Sequence, residues 1–207
     1  MRVYYRHPKL YNLVVSTLLY SKGLWEKFNA ELGENQTIFE VAAGYGRVAE
    51  FIDPSNKYYG IDLNKIFVEH GRSHGIDLEV KDIFDPTAYK RSDVFIAVDL
   101  IHHLTPEKLK GLFDLIFSHA AKKVIIMEAS FSPMKRYGIL GKVAEWIFKS
   151  LDTDGINKIE RVMTNQEYRQ LFESRFGSRY GEKFDFQYQL VGGRCLYQLV
   201  TYTHVAD

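Results

Sequence analysis

Four carboxylates and two glycines carry the first chemical signal in this sequence. Glu40 stands four residues ahead of Gly44 in the stretch TIFEVAAGYGRVA, and Gly46 follows at the spacing of a glycine-rich turn. Asp62 closes YYGID, Asp82 lies in VKDIFD, and Asp99 lies in FIAVDLIHHL. Each acid falls at or just beyond the end of a short apolar run, where a strand gives way to a loop. Parallel strands bring such ends to one edge, so the pattern describes a rim suited to a nucleotide-bearing ligand. Beside it, His102 and His103 supply imidazoles able to take a proton near neutral pH. Adjacent residues in extended backbone point to opposite sides, so one histidine is expected to shape the pocket while the other faces it. Without a further spaced ligand the pair makes no metal site, and the lone Cys195 excludes both an intramolecular disulfide and a cysteine-based zinc site.

The loop admits two ligands. GYGRVA fits G-x-G-x-x-G/A, in which backbone N–H groups at a helix start cradle a dinucleotide pyrophosphate and an acid such as Asp62, 18 residues after Gly44, holds ribose hydroxyls. Glu40 argues the other way, because a carboxylate beneath the loop repels a pyrophosphate. It favours S-adenosylmethionine, which presents an ammonium group beside a cationic sulfonium. Glu40 also has a purely structural alternative, capping backbone N–H groups or pairing with Arg47.

The elements that must position these residues follow from periodicity. Leu24, Phe28 and Leu32 at fourfold spacing suit a helix ending near Gly33, preceded by another across Leu10 to Leu18 after Pro8. From Thr37 onward the pattern predicts strand 37–42, helix 46–52, strand 57–62, helix 64–74, strands 76–81 and 92–98, helix 105–120 and strand 122–129. That alternation argues for an α/β fold, a parallel sheet covered by helices on both faces. Thr105-Pro106 reads as a helix start with proline at the first position. A helix across 134–150 is expected next, then one opened by Thr164, with Glu167 completing a capping box. The chain closes on two alternating runs, 184–191 and 194–202, joined by Gly192-Gly193 as a β-hairpin.

Size and charge narrow the classes. A chain of 207 residues, 46% hydrophobic and 26% charged, reads as a single soluble domain spanning 1–207. With 27 basic against 26 acidic residues, no bulk charge draws it to nucleic acid. The basic start followed by LYNLVVSTLLY imitates a signal peptide, yet Asn12, Ser16 and Thr17 interrupt it and no small-x-small cleavage site follows, so it is read as mature structure. A cytoplasmic location fits the single cysteine.

Over roughly residues 35–130 the sequence resembles the class I S-adenosylmethionine-dependent methyltransferases. FEVAAGYGR corresponds to their first motif, with Ala42 where many members carry glycine. The resemblance implies a Rossmann-like, doubly wound, mostly parallel seven-stranded sheet with its last strand antiparallel, which the closing hairpin can supply. It implies that Glu40, Ala42, Gly44 and Gly46 surround the methionine portion of the cofactor, that Asp62 with Leu63 holds the ribose, and that Asp82 with Ile83 holds adenine. Asp99 falls in the segment resembling the fourth motif, whose loop flanks the cofactor, and His102 and His103 become the candidate catalytic groups.

The family places acceptor-recognition elements before the sheet and between later strands, here an N-terminal helical cap over 1–34 and a helical insertion over 131–180. Aromatic residues there, among them Tyr4, Tyr5, Trp25, Tyr137 and Trp146, alternate with Arg2, Arg6, Lys135, Arg136 and Lys142. An apolar or lipid-like small-molecule acceptor is therefore expected, with contact at a membrane surface as its extension and core-facing helices as the plain alternative. Two other classes stay open on sequence: a binding module that keeps the cofactor without transferring its methyl, and an NAD(P)-dependent oxidoreductase.

Overall fold

The computed structural model describes residues 21–130, 163–192 and 196–205. The expected helices across 10–18 and 134–150 lie outside them, as do most residues of both proposed acceptor-side elements and Cys195.

Seven strands form one sheet in the order β3-β2-β1-β4-β5-β7-β6. They are β1 (Thr37–Val41), β2 (Lys57–Asp62), β3 (Leu78–Val80), β4 (Ser92–Val98), β5 (Ala120–Ser130), β6 (Phe184–Val191) and β7 (Leu196–His204). The first five run parallel; β7 pairs antiparallel with β5 and β6 with β7. The chain starts at the centre, winds outward to β3, then returns to lay β4 on the other side of β1. This reversal opens a crevice at the carboxyl ends of β1 and β4, where a doubly wound sheet binds its ligand.

Both faces of the sheet are buried, which is why its central strands read as near-continuous apolar runs. On one face Ile38, Val94, Ile96, Ile125 and Met127 pack with Leu24, Trp25, Phe28 and Leu32 of helix α1 (Lys22–Leu32). On the other, Phe39, Val41, Phe95 and Ala97 meet Leu112, Phe113 and Ile116 of helix α3 (Pro106–His119), with Tyr168 and Phe172 from the C-terminal part. Helix α2 (Lys65–Ser73) lies nearer the loop, and Gly71 is required there: a Cβ at that position would sit 2.3 Å from the Tyr45 carbonyl oxygen. Each helix begins on a side-chain cap, from Ser21, Asn64 and Thr105 in turn.

Three local expectations change. The predicted helix over 46–52 shrinks to one tight turn, Arg47–Glu50, because its cap, Gly46, is left-handed at φ 80° and Pro54 follows closely. The Thr164 capping box forms and starts helix α4 (Asn165–Gln170), but the chain then widens into i→i+5 turns over Leu171–Gly177. The hairpin pairs Val191 with Tyr197, a register different from the one a two-residue Gly192-Gly193 turn would set.

Candidate functional site

The loop leaving β1 holds an unusual backbone. Ala42, Gly44 and Gly46 all adopt positive φ, at 55°, 59° and 80°. At Gly46 glycine is doubly required, because an added Cβ would also approach Ile76 Cγ2 to 2.7 Å. Ala42 has no such freedom, and the left-handed region costs an alanine about 1–2 kcal/mol. Ala42→Gly is therefore expected to stabilise the protein by about 0.5–1 kcal/mol once glycine's extra unfolded-state entropy is subtracted, read as a raised urea midpoint at unchanged slope.

Asp62, the last residue of β2, ties this loop down. Its Oδ2 accepts the Gly44 N–H at 2.7 Å, and its Oδ1 accepts the Asn64 N–H at 2.7 Å. Asn64 is 7% exposed; its Oδ1 caps α2, while its Nδ2 has no hydrogen-bond partner among the described residues. One step further out, Lys81 N–H donates to the Asp62 carbonyl at 3.1 Å, which brings the end of β3 alongside. Asp82 there is exposed and accepts the Phe84 N–H at 2.9 Å; Ile83 packs partly on the core and its carbonyl takes the Tyr89 hydroxyl at 2.6 Å. Leu63 and Phe84, 50% and 37% exposed, leave apolar surface on this side of the crevice.

Glu40 faces the α1 side of the sheet beneath the loop and is 3% exposed. Its partner is Tyr58 of β2, whose hydroxyl donates to Oε2, whereas the field of Arg47 falls on Tyr45. Burial pushes the Glu40 carboxyl from its ordinary 4.5 up to about 8, the Tyr58 hydrogen bond pulls it back, and Asp62 raises it further. A raised carboxyl contributes stability that is complete below 4.5 and is lost as pH climbs through about 8. Tyr58 is pushed well above its usual range by burial and by Glu40.

At the end of β4, Asp99 turns with φ 49° and stitches three elements together. Its N–H donates to the Met127 carbonyl at 2.9 Å, Oδ1 accepts the Ala129 N–H at 3.0 Å, and Oδ2 accepts the Tyr197 hydroxyl at 3.2 Å. The two histidines then part. His102 is 1% exposed and its Nδ1 meets Glu128 Oε1 inside the protein; His103 is partly exposed, its ring centroid 4.2 Å from that of His102. Glu128, fully buried, also accepts the Ile101 N–H at 3.0 Å and the Tyr168 hydroxyl at 3.4 Å.

The parallel strands thus bring Glu40, Asp62, Asp82 and Asp99 to one edge. Glu128, Tyr58, Tyr168 and Tyr197 escaped the sequence reading. Glu128 did leave a trace, a single acid inside the apolar run VIIMEA of a strand buried on both faces. The tyrosines left none, since their partners are remote in sequence.

This strand order, with the loop after β1 and the antiparallel β7, defines a Rossmann-like fold of the class I S-adenosylmethionine-dependent methyltransferase type. Solved structures of that type match it. Magnesium protoporphyrin IX methyltransferase from Synechocystis PCC 6803 with bound SAH is similar at TM-score 0.60 and 12% identity, over 94% of this chain and 84% of that one. The plantazolicin methyltransferase BpumL in complex with SAH is similar at TM-score 0.67 and 12% identity, over 96% and 89%. Human N-acetylserotonin methyltransferase in complex with SAM is similar at TM-score 0.65 and 16% identity; 98% of this chain corresponds to 55% of that one. No protein-family model matches the chain, and no curated protein matches it in sequence.

Proposed function

We propose that this chain binds S-adenosylmethionine at the carboxyl edge of β1, β2 and β4 and directs its methyl group to a small-molecule acceptor of apolar or lipid-like character. One observation carries the choice of cofactor. The glycine loop has a buried acid below it and only the turn Arg47–Glu50 after it, so a pyrophosphate would meet a carboxyl group without the aligned dipole of a full helix. The neighbours crystallised with SAM or SAH support the same choice.

The residues present suit that ligand. Asp62, with Leu63 beside it, faces the ribose, while Asp82 and Ile83 border the adenine. Glu40, Ala42, Gly44 and Gly46 border the amino-acid portion, and Asp99 holds the loop that closes the far side. The buried Asn64 Nδ2, without a partner among the described residues, offers a donor on the ribose side. S-adenosylmethionine supplies an electrophilic methyl carbon; the chain's own contribution is chiefly alignment, which can supply about 7–11 kcal/mol of a barrier. For an oxygen acceptor, His103 is the accessible imidazole, and His102, gripped by Glu128, fixes the turn that presents it. A positioned base of this kind adds about 10²–10⁴-fold.

Titration calorimetry separates the classes: S-adenosylhomocysteine should bind and NAD should not, and the reverse result would overturn the proposal. Transfer of labelled methyl from S-adenosylmethionine to a panel of phenolic, carboxylic and lipid acceptors should then reveal turnover. Tight binding with no product from any of them would favour the non-catalytic module. Membrane contact predicts binding to anionic vesicles that weakens with added salt.

A further inference from the structure

We propose that Glu40, hydrogen-bonded by Tyr58 beneath the glycine loop, is a proton-release site: the free chain keeps a proton on Glu40, and an arriving ammonium-bearing ligand displaces it to solvent. The inference rests on the cofactor reading above and extends it to how the site is regulated.

The geometry isolates Glu40 from water and from compensating cations. It lies inside β1, flanked by Gly60 of β2 and Ile96 of β4, neither of which carries a charge. On the same face of the sheet, Ile38 and Ile96 belong to the apolar cluster against which Tyr58 packs. The titratable and charged groups that act on it are few. Tyr58 donates to it from β2, Asp62 adds a like charge from the end of the same strand, and Tyr45 feels it from the loop, where Arg47 and Glu50 act on Tyr45 in turn. Burial and the nearby acid favour holding the proton on a carboxyl so placed, and the single Tyr58 hydrogen bond opposes them only in part. The Tyr58 hydroxyl lies over Gly60, where a side chain would crowd it: a Cβ there would sit 2.9 Å from it.

The exchange balances. A neutral Glu40 carboxyl and a cationic ligand become a carboxylate paired with the ammonium group plus one proton taken up by buffer. With the free carboxyl ionising near 8, affinity should rise about tenfold per pH unit between pH 6 and 7. That window stays below about 7.7–8.0, where α-amino groups themselves lose charge.

Calorimetry with S-adenosylhomocysteine in buffers of different ionisation enthalpy measures the released proton directly. Close to one proton is expected at pH 6.5, and none with 5′-methylthioadenosine, which lacks the ammonium group. Glu40→Gln should bind S-adenosylhomocysteine without proton release or pH dependence. Tyr58→Phe removes a hydrogen bond that lowers Glu40, so the rising limb should move to higher pH. Normal binding with buffer-independent heat and flat affinity would overturn this inference and leave the cofactor reading standing; no binding at any pH would overturn the cofactor reading. Infrared spectroscopy of the free chain tests the proton without any ligand. A protonated-carboxyl band at pH 6.5 that disappears in Glu40→Gln supports it, and absence of that band overturns it.

Discussion

Glu128→Ala should lower the stability of the free protein by about 3–5 kcal/mol, the largest single effect expected outside the apolar core. The substitution removes the acceptor for three groups at once, the Ile101 N–H, His102 Nδ1 and the Tyr168 hydroxyl, at a residue with no solvent exposure. Water cannot replace those bonds without opening the space between β5, the turn after β4 and α4. Glu128→Gln keeps an oxygen for part of the set and should recover a portion of the loss. Urea denaturation followed by two probes measures both variants; a loss under 1 kcal/mol for alanine would show that the cluster relaxes independently of Glu128. The same variants separate packing from chemistry. If His103 handles the acceptor's proton from the turn this cluster holds, Glu128→Gln should lower kcat more than it alters cofactor affinity and should displace the pH profile.

Asp62→Ala should weaken S-adenosylhomocysteine binding by about 10²-fold or more. Two hydrogen bonds to a charged acceptor, at about 1.5–3 kcal/mol each, correspond to that loss at about 1.4 kcal/mol per decade. Asp62 acts twice in the proposed complex, by facing the ribose and by holding Gly44 through its N–H at 2.7 Å. Asp62→Asn preserves an acceptor for Gly44 without the charge and should fall between wild type and alanine. Because Asp62 is only partly buried, stability should change much less than affinity, and calorimetry beside a thermal melt distinguishes the two. An affinity within twofold of wild type for the alanine variant would remove Asp62 from the site.

Much of this was legible in advance because parallel sheets write themselves plainly. Strands β2 and β4 occupy the residues their apolar runs predicted, 57–62 and 92–98, and the caps at Thr105 and Thr164 lie where their sequence signatures placed them. The helix after the loop was over-read: Val48, Ala49 and Phe51 carry helical periodicity, but a left-handed Gly46 and the nearby Pro54 leave room for a single turn. The antiparallel hairpin is present as its alternation predicts, but alternation says nothing of the register, which sets Val191 against Tyr197.

Local patterns determined the elements, their parallel order of strand and helix, and the set of acids that would stand at strand ends, since these depend on periodicity and on residues close in sequence. Only the tertiary structure decided what each acid meets. Glu40 meets Tyr58 at a separation of 18 residues, His102 meets Glu128 at 26, and Asp99 meets Tyr197 at 98. Such contacts are set by strand order and register, and they decide whether a carboxyl group is hydrated and charged or buried and holding a proton. The sequence therefore marked out the acids at the strand ends, and the fold decided which partner each of them meets there.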